Sequence, residues 1–456
     1  MSLRPLIMKF GGSSLADAAC MKAAAKLVRN ALPDAPLVVL SAMGKTTDGL
    51  FRAARMAAQG QLEEALEAHT ALMERHRQAA AKLLPLERTA SVLQEIAQHG
   101  GELATILTGL SMVRELSPRS MDAVASQGER LSTLVFARFL AAEGIEVHLA
   151  DARRVLRTDA KSGVATPQPK AIAALAAEHI APHLGAGRVV VTQGYIGSTA
   201  DGLVTTLGRG GSDYSAALLG AALGAREVQI WTDVEGVLTC DPRMVPGAKP
   251  IPELSFAEAA ELAAFGAKVL HPATIQPAIE ADIPVTVRST MKPNGRHSVI
   301  RGDVKSGRAI TALASRAPVA VVTVSSSRML DQPGFLARLF DIFGRNGISV
   351  DIVATAEISV SLTVDNDAET DNALAEIRAF ASATVVRDRA IVALVGEQLR
   401  STPGIAARTF TALGDLNIEM ISMGANEINL SLVLKKDDVP EALRRLHAEL
   451  LPGDDA

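Results

Sequence analysis

Short, almost uninterrupted apolar runs mark the first part of the chain: Leu6 to Phe10, Leu37 to Ser41, Val147 to Ala150, Arg188 to Thr192, Glu227 to Thr232 and Pro284 to Arg288. Between them apolar positions return every three or four residues, the spacing of helices with one buried face. The first run ends at Gly11-Gly12 and gives way to helical periodicity through about Asn30. Leu50 to Glu115 reads as helix, interrupted at Gly60, Pro85 and Gly100-Gly101. His69 and His76 lie beside its apolar stripe of Leu62, Leu66 and Met73, the place of core or boundary histidines rather than of metal ligands. Ala123 to Gln127 passes through Gly128-Glu129-Arg130 into an apolar helix ending at Ala142, which sets Glu129 at a helix start. A further helix, Tyr214 to Leu223, is predicted to be capped by Ser212 or Asp213. Strands that are apolar on both faces and alternate with helices predict a parallel sheet covered on both sides. Ligands of such sheets gather beyond the carboxyl ends of the strands, where Lys9, Ser41, Thr232 and Asp233 all fall.

After about Ser315 the pattern changes. Pro333-Gly334-Phe335, Arg338, Phe340, Gly344, Ile348 and Glu357 return as Pro403-Gly404-Ile405, Arg408, Phe410, Gly414, Ile418 and Glu427, each pair 70 positions apart. Every copy reads strand, Pro-Gly turn, helix, two strands (Ser349 to Ala354 and Glu357 to Val364 in the first) and helix, so the region is a tandem pair of βαββαβ units. The expected domains are therefore 1–300, 315–390 and 391–456.

Composition narrows the class. Among 456 residues, 48% are hydrophobic and only 3% aromatic, and the net charge of -4 provides no basic footprint for nucleic acid. No apolar run approaches the ~18 residues of a membrane span. The N-terminus has no secretory apolar region, and Cys20 and Cys240 stand too far apart in sequence to suggest a disulfide framework or a zinc site. A soluble, cytoplasmic protein handling small molecules is expected.

Two anion-suited loops carry the chemistry. One is KFGGSS, where Lys9 closes a buried strand beside the backbone donors of Gly11 and Gly12. The other is TLGRGGSD, where Arg209 lies among Gly208, Gly210 and Gly211 ahead of a helix N-terminus. Glycines let backbone approach a ligand, and a helix N-terminus with an arginine beside it favours an anion. Gly44-Lys45-Thr46 is not a P-loop, because Val39 occupies the required first glycine. No G-x-G-x-x-G opens a helix after a strand.

With WTDVEGVLTCDPR (Trp231 to Arg243) and FGAKVLHP (Phe265 to Pro272), these segments resemble the amino-acid-kinase superfamily and, within it, the aspartate kinases. The resemblance spans essentially the whole chain, and the repeats resemble that family's tandem ACT domains. It implies an αβα sandwich around a mainly parallel sheet, followed by two ferredoxin-like ACT units. The implied activity is transfer of the γ-phosphoryl group of ATP, with Mg2+, to the side-chain carboxylate of L-aspartate. That carboxylate, with an ordinary pKa of ~3.9, is already ionised and needs no general base. The obstacle is repulsion between two anions, so catalysis must come from fixed positive charge and N–H donors.

By resemblance, Lys9 faces the transferring phosphoryl group and Asp213 orients Lys9. Arg209 clamps the substrate α-carboxylate, Glu129 takes its ammonium, and Ser41 and Thr47 stand on the substrate side. Gly11, Gly12, Gly210, Gly211, Thr232, Asp233, Leu238, Asp241, Arg243 and Lys268 match nucleotide-side segments, Leu238 replacing a tyrosine of some relatives. No protein ligand of the metal is assigned. The first ACT unit offers Met329, Gln332, Gly334, Phe335, Leu336, Val350, Asp351 and Glu357 to an amino-acid effector, lysine or threonine, at an interface with a second subunit. Gln332 and Ala356 replace serines of lysine-sensitive relatives. The expected assembly is a homodimer through the ACT units, or a tetramer, with no dehydrogenase domain attached. Two competing readings are another amino-acid kinase, such as glutamate kinase, and an inactive amino-acid sensor.

Overall fold

A computed structural model of the chain describes residues 4–266, 272–302, 304, 307–327, 329, 333–365 and 369–451. Their contacts separate two units: the described residues within Met1–Val237, Pro252–Phe256 and Val269–Val304, and those within Leu238–Ile251, Ala257–Lys268 and Lys305–Ala456.

The first unit holds strands β1 (Leu6–Phe10), β2 (Pro36–Leu40), β3 (Val147–Ala150), β4 (Val189–Gln193), β5 (Ile196–Ser198), β6 (Val204–Thr206), β7 (Glu227–Thr232), β8 (Glu253–Ser255), β9 (Val285–Ser289) and β10 (Ser298–Arg301). Its helices are α1 (Ala18–Asn30), α2 (Thr46–Ala58), α3 (Leu62–Leu83), α4 (Leu86–Val113), α5 (Pro118–Ala142), α6 (Pro169–His179), α7 (Ala181–Gly185), α8 (Gly211–Leu223) and α10 (Pro272–Glu280); α9 (Phe256–Ala264) continues into the second unit. Eight strands form one sheet in the order β3-β4-β2-β1-β7-β9-β10-β8, and β5 pairs separately with β6. All neighbours are parallel except β9 and β10. Every residue of β1, β2 and β4 is buried, which is why these strands read as continuous apolar runs. Helix α8 packs on β1 and β7 with α6 and α10 beside it, while α5 covers β2, β3 and β4 from among α1 to α4. Lys9 sits in register between Val39 and Ile230 at the carboxyl end of the sheet's inner strand β1.

Two helix boundaries differ from the sequence expectation. Gly100-Gly101 does not interrupt α4: Gly100 faces α3, where a Cβ would stand 3.2 Å from Met73 Sδ, and His69 Nε2 lies 2.9 Å from Gly100 O. Gly128 likewise lies inside α5, where a Cβ would approach the Ala42 methyl to 2.9 Å, so Glu129 is at mid-helix rather than at a helix start. In both helices the glycine serves close packing, not termination. His76 is fully buried in α3, and burial lowers its pKa to about 4.

The second unit contains β11 (Ala312–Ser325), β12 (Val350–Thr355), β13 (Ser359–Asp365), β14 (Ser382–Val395), β15 (Met420–Met423) and β16 (Asn429–Lys435), with α11 (Phe335–Arg345), α12 (Glu369–Arg378), α13 (Ile405–Leu413) and α14 (Val439–Leu450). They make a single antiparallel sheet, β12-β13-β11-β14-β16-β15. The Pro-Gly turns recur because Gly334 and Gly404 begin α11 and α13 at φ of 89° and 77°, a region that glycine enters without strain. Each 14-residue strand serves both repeats: Val321–Ser325 pairs with Ser382–Val386 in the first, and Ala312–Arg316 pairs with Ile391–Val395 in the second. The last strand of the second repeat thus lies upstream of the first repeat.

Replacing Gly101, which is open to solvent, by alanine should stabilise the protein by about 0.5–1 kcal/mol through helix propensity. Replacing Gly128 by alanine should cost about 1–3 kcal/mol through overpacking. Denaturant titration of the two variants checks the opposite signs.

Candidate functional site

Beyond the carboxyl ends of β1, β2 and β4 the first unit carries an open cleft of about 840 Å³. It brings together Lys9, Gly12, Ser41, Thr47, Glu129, Arg209, Gly210, Gly211 and Asp213 from segments far apart in the chain. Its floor is set by backbone proximity. A Cβ at residue 12 would lie 2.9 Å from Gly44 O, and Gly44 N donates to Gly12 O at 3.0 Å. The loops after β1 and β2 can meet only through glycine there.

Lys9 is 8% exposed, and its ammonium lies 2.6 Å from Asp213 Oδ1. The start of α8 explains how. The helix begins at Gly211 with Gly210 as its cap at φ 71°, and no side chain caps it. The expected cap by Ser212 or Asp213 is therefore displaced: Asp213 falls within the first turn, and its carboxylate turns inward to Lys9. Tyr195 is held at φ 67°, a backbone region rarely taken by non-glycine residues, with its amide on Ser215 Oγ at 2.9 Å.

Three carboxylates surround the cavity in different conditions. Asp213 has Lys9. Asp122 accepts the Thr206 hydroxyl at 2.6 Å and the Gly163 amide at 3.0 Å. Glu129 is 3% exposed, accepts only from Ala42 N at 3.3 Å, and leaves Oε2 without a hydrogen-bond partner. Burial pushes the Glu129 pKa up to about 8, so near neutrality it holds a proton that a cationic group would displace. Arg209 is exposed and makes no ion pair among the described residues. Cations, helix-terminal donors and one uncommitted acid in a single cavity suit a zwitterion beside a polyanion.

Other expected residues lie elsewhere. Gly11 donates to Trp231 O at 3.1 Å, behind Lys9. Thr232 closes β7 and donates to Asp233 at 3.0 Å, outside the residues lining the cavity. Leu238, Asp241 and Arg243 belong to the second unit, where Leu238 bridges to Pro250 and Asp241 pairs with Arg243 on the surface. Lys268 and Gln332 lie outside the described residues. On the effector side, the Phe335 ring is buried against Phe380, Leu336 is partly exposed, and Glu357 is exposed. Met329 and Val350 pack at the edge of the first repeat's core, and Gly334 is the α11 cap. Asp351 is paired with Arg316 at 2.6 Å; burial raises its pKa while Arg316 opposes the rise. Asp122 and Tyr195 were missed by the sequence reading, because neither belongs to a glycine-rich loop and their positions follow only from the packing of α5 and β5.

Residues 4–289 match the amino acid kinase family, and 322–379 and 392–450 match an ACT domain. The lysine-sensitive aspartokinase 3 of Escherichia coli K12 is 40% identical over 98% of this chain and 99% of its own length. Aspartokinase 2 (chloroplastic) of Arabidopsis thaliana is 37% identical over 98% and 84%. A crystal structure of E. coli aspartokinase III with aspartate and ADP superposes with a TM-score of 0.86 at 38% identity, covering 98% of this chain and all of that one. The chain belongs to the amino acid kinase family and, within it, to the aspartokinases. It is an ATP-dependent kinase with a regulatory ACT region.

Because the folded-state pKa of Glu129 is raised above the ordinary 4.5, its stabilising protonation is fully present below that value and lost as pH rises through about 8. Without ligands, the melting temperature of the parent protein should therefore fall relative to Glu129→Gln between pH 5 and 9. Parallel melting curves for the two would expose a wrong assignment.

Proposed function

We propose that this chain transfers the γ-phosphoryl group of ATP to the side-chain carboxylate of L-aspartate, yielding 4-phospho-L-aspartate and ADP. The observation that carries this reading is one cavity holding the Lys9–Asp213 pair, the unpaired Arg209 and the buried, half-satisfied Glu129. The substrate α-carboxylate goes to Arg209, a planar fork of donors suited to it. Its ammonium goes to Glu129, which gives up its proton as the ion pair forms. Ser41 and Thr47 border the remaining carboxylate. One of its oxygens attacks the γ-phosphorus as the bond to the β-bridging oxygen breaks, and the electron pair leaves on ADP. Lys9, oriented by Asp213, offsets the negative charge on the transferring group, with the Gly12 and Gly210 amides supplying N–H donors while Gly11 and Gly211 shape the two loops through their bonds to Trp231 O and Gly208 O. Thr232, Asp233, Leu238, Asp241, Arg243 and Lys268 complete the nucleotide side.

Mg2+ would be held largely by substrate oxygens and water and would offset charge on the triphosphate. Among the described residues no group of three or more His, Cys, Asp or Glu could by itself hold a metal ion, and no residue of the chain is assigned as its ligand. Residues 1–300 carry the catalytic domain, and 315–390 and 391–456 carry the ACT domains, the second completed by the strand residues 312–316, through which the chain dimerises or forms a tetramer. No helix among the described residues is long and apolar enough to cross a membrane, in keeping with a cytoplasmic enzyme. Lysine or threonine is the effector. Lysine suits the acidic Asp351 and Glu357, and E. coli aspartokinase III has been crystallised with lysine and aspartate.

Product trapping with hydroxylamine tests the chemistry. Lys9→Ala should lose about 10²–10³ in kcat, the effect of removing one preorganised electrostatic partner, with an unchanged circular dichroism spectrum. Near-normal turnover would remove Lys9 from the mechanism. Asp351→Ala should raise the lysine concentration giving half-inhibition by about tenfold or more, the effect of losing one charged contact. Unaltered inhibition would move the effector site elsewhere.

A further inference from the structure

Among the described residues Arg209 has no ion-pair partner, so its placement depends on the loop that carries it. That loop is tied down by a residue the reaction does not otherwise use. Asp122 projects from α5, is 2% exposed and borders the cavity. Its Oδ1 accepts the Thr206 hydroxyl at 2.6 Å, and its two oxygens lie 3.0 and 3.1 Å from the Gly163 amide. Thr206 is the last residue of β6, three positions before Arg209; Gly163 belongs to a separate loop walling the same cavity. The backbone repeats the join. Ala165 N donates to Thr206 O at 2.9 Å, and a Cβ at residue 208 would stand 3.2 Å from both Gly163 O and Val164 Cγ1.

β6 is only three residues long, and its sheet partner is the equally short β5. Such a segment has little regular structure to hold it. Hydrogen bonds to an ionised carboxylate are roughly twice as strong as neutral ones, and a buried carboxylate is costly unless its oxygens are met. Asp122 therefore holds β6 and residues 163–165 in one arrangement or not at all.

We propose that Asp122 is a positioning residue that sets where Arg209 meets the α-carboxylate of the phosphoryl acceptor. This rests on the reading of Arg209 as the carboxylate clamp. It predicts an effect confined to the acceptor, because the clamp grips ground state and transition state alike.

The test is steady-state kinetics on the full chain, with aspartate and ATP varied separately, for Asp122→Ala, Thr206→Val, Arg209→Ala and the Asp122→Ala/Arg209→Ala double variant. Asp122→Ala should raise the aspartate KM by about 10- to 100-fold, the worth of charged hydrogen bonds. The ATP KM should stay within about twofold and kcat within about threefold. Thr206→Val should give a smaller change of the same kind. In the Arg209→Ala background, Asp122→Ala should add almost nothing, because the two act as one unit. Equal losses toward both substrates, or full additivity in the double variant, would overturn the proposal. If Arg209→Ala leaves the aspartate KM at the parental value, the clamp reading and the proposal fall together. If it raises that KM but Asp122→Ala does not couple to it, the proposal alone falls. Should Asp122→Ala not fold, Asp122→Asn, which keeps an acceptor for the Gly163 amide, and Thr206→Val carry the same comparison.

Discussion

A nearly buried ammonium needs a partner, and the 2.6 Å contact between Lys9 and Asp213 is the constraint around which the first unit is arranged. Lys9 can sit at the end of a strand buried on both sides only because an anion meets it as α8 starts. That anion can be Asp213 only because Gly210 turns the chain through a positive φ and lets the helix begin at Gly211. Had the side chain at 213 capped the helix, Lys9 would have faced the cavity uncompensated. The ion pair thus fixes the separation between the strand-end loop and the helix-start loop, the two anion-suited walls.

The same accounting separates three acids that are alike in sequence. Asp213 is consumed by a cation, and Asp122 by a hydroxyl and an amide. Glu129 retains an oxygen with nothing to bind, and burial keeps it protonated near neutral pH. A carboxyl in that condition attracts a cation more strongly than one already satisfied, because pairing removes a desolvation penalty as well as adding attraction. With the neighbouring charges already neutralised, Glu129 and Arg209 are the acid and the base that the cavity leaves uncommitted among the described residues, which is the charge pattern the proposed zwitterionic acceptor requires.

Much of this could be read in the sequence. Buried parallel strands declare themselves as apolar runs, which is why β1, β3 and β7 fall at the expected residues, and a repeat that keeps phase over 70 positions can hardly be anything but two copies of one unit. The glycine-rich loops pointed to the cavity because Gly12 and Gly211 leave no room for a Cβ and Gly208 and Gly210 take a positive φ. Misreadings came from glycines of another kind. Gly100 and Gly128 look like breaks but are places where a neighbouring element presses against a helix, and sequence does not show what lies opposite. Asp122 and Tyr195 escaped for the same reason, since their value depends on partners 84 and 20 positions away, Thr206 and Ser215.

The segment from Leu238 to Ile251 carries residues placed by resemblance on the nucleotide side, yet it folds with the regulatory unit. Thr239 binds it there with every polar group it has. Its carbonyl accepts Leu313 N of β11 at 2.8 Å, its amide donates to Lys249 O at 2.9 Å, and its hydroxyl meets Lys249 N at 2.9 Å and His447 Nε2 of α14 at 3.0 Å. Cys240 and Val245 then join the apolar core of the second repeat beside Val392, Leu394, Leu432 and Leu443. Interiors are close-packed and shift as discrete arrangements rather than yielding locally. The segment and the second repeat therefore share one interior, and a rearrangement of that core would include the segment.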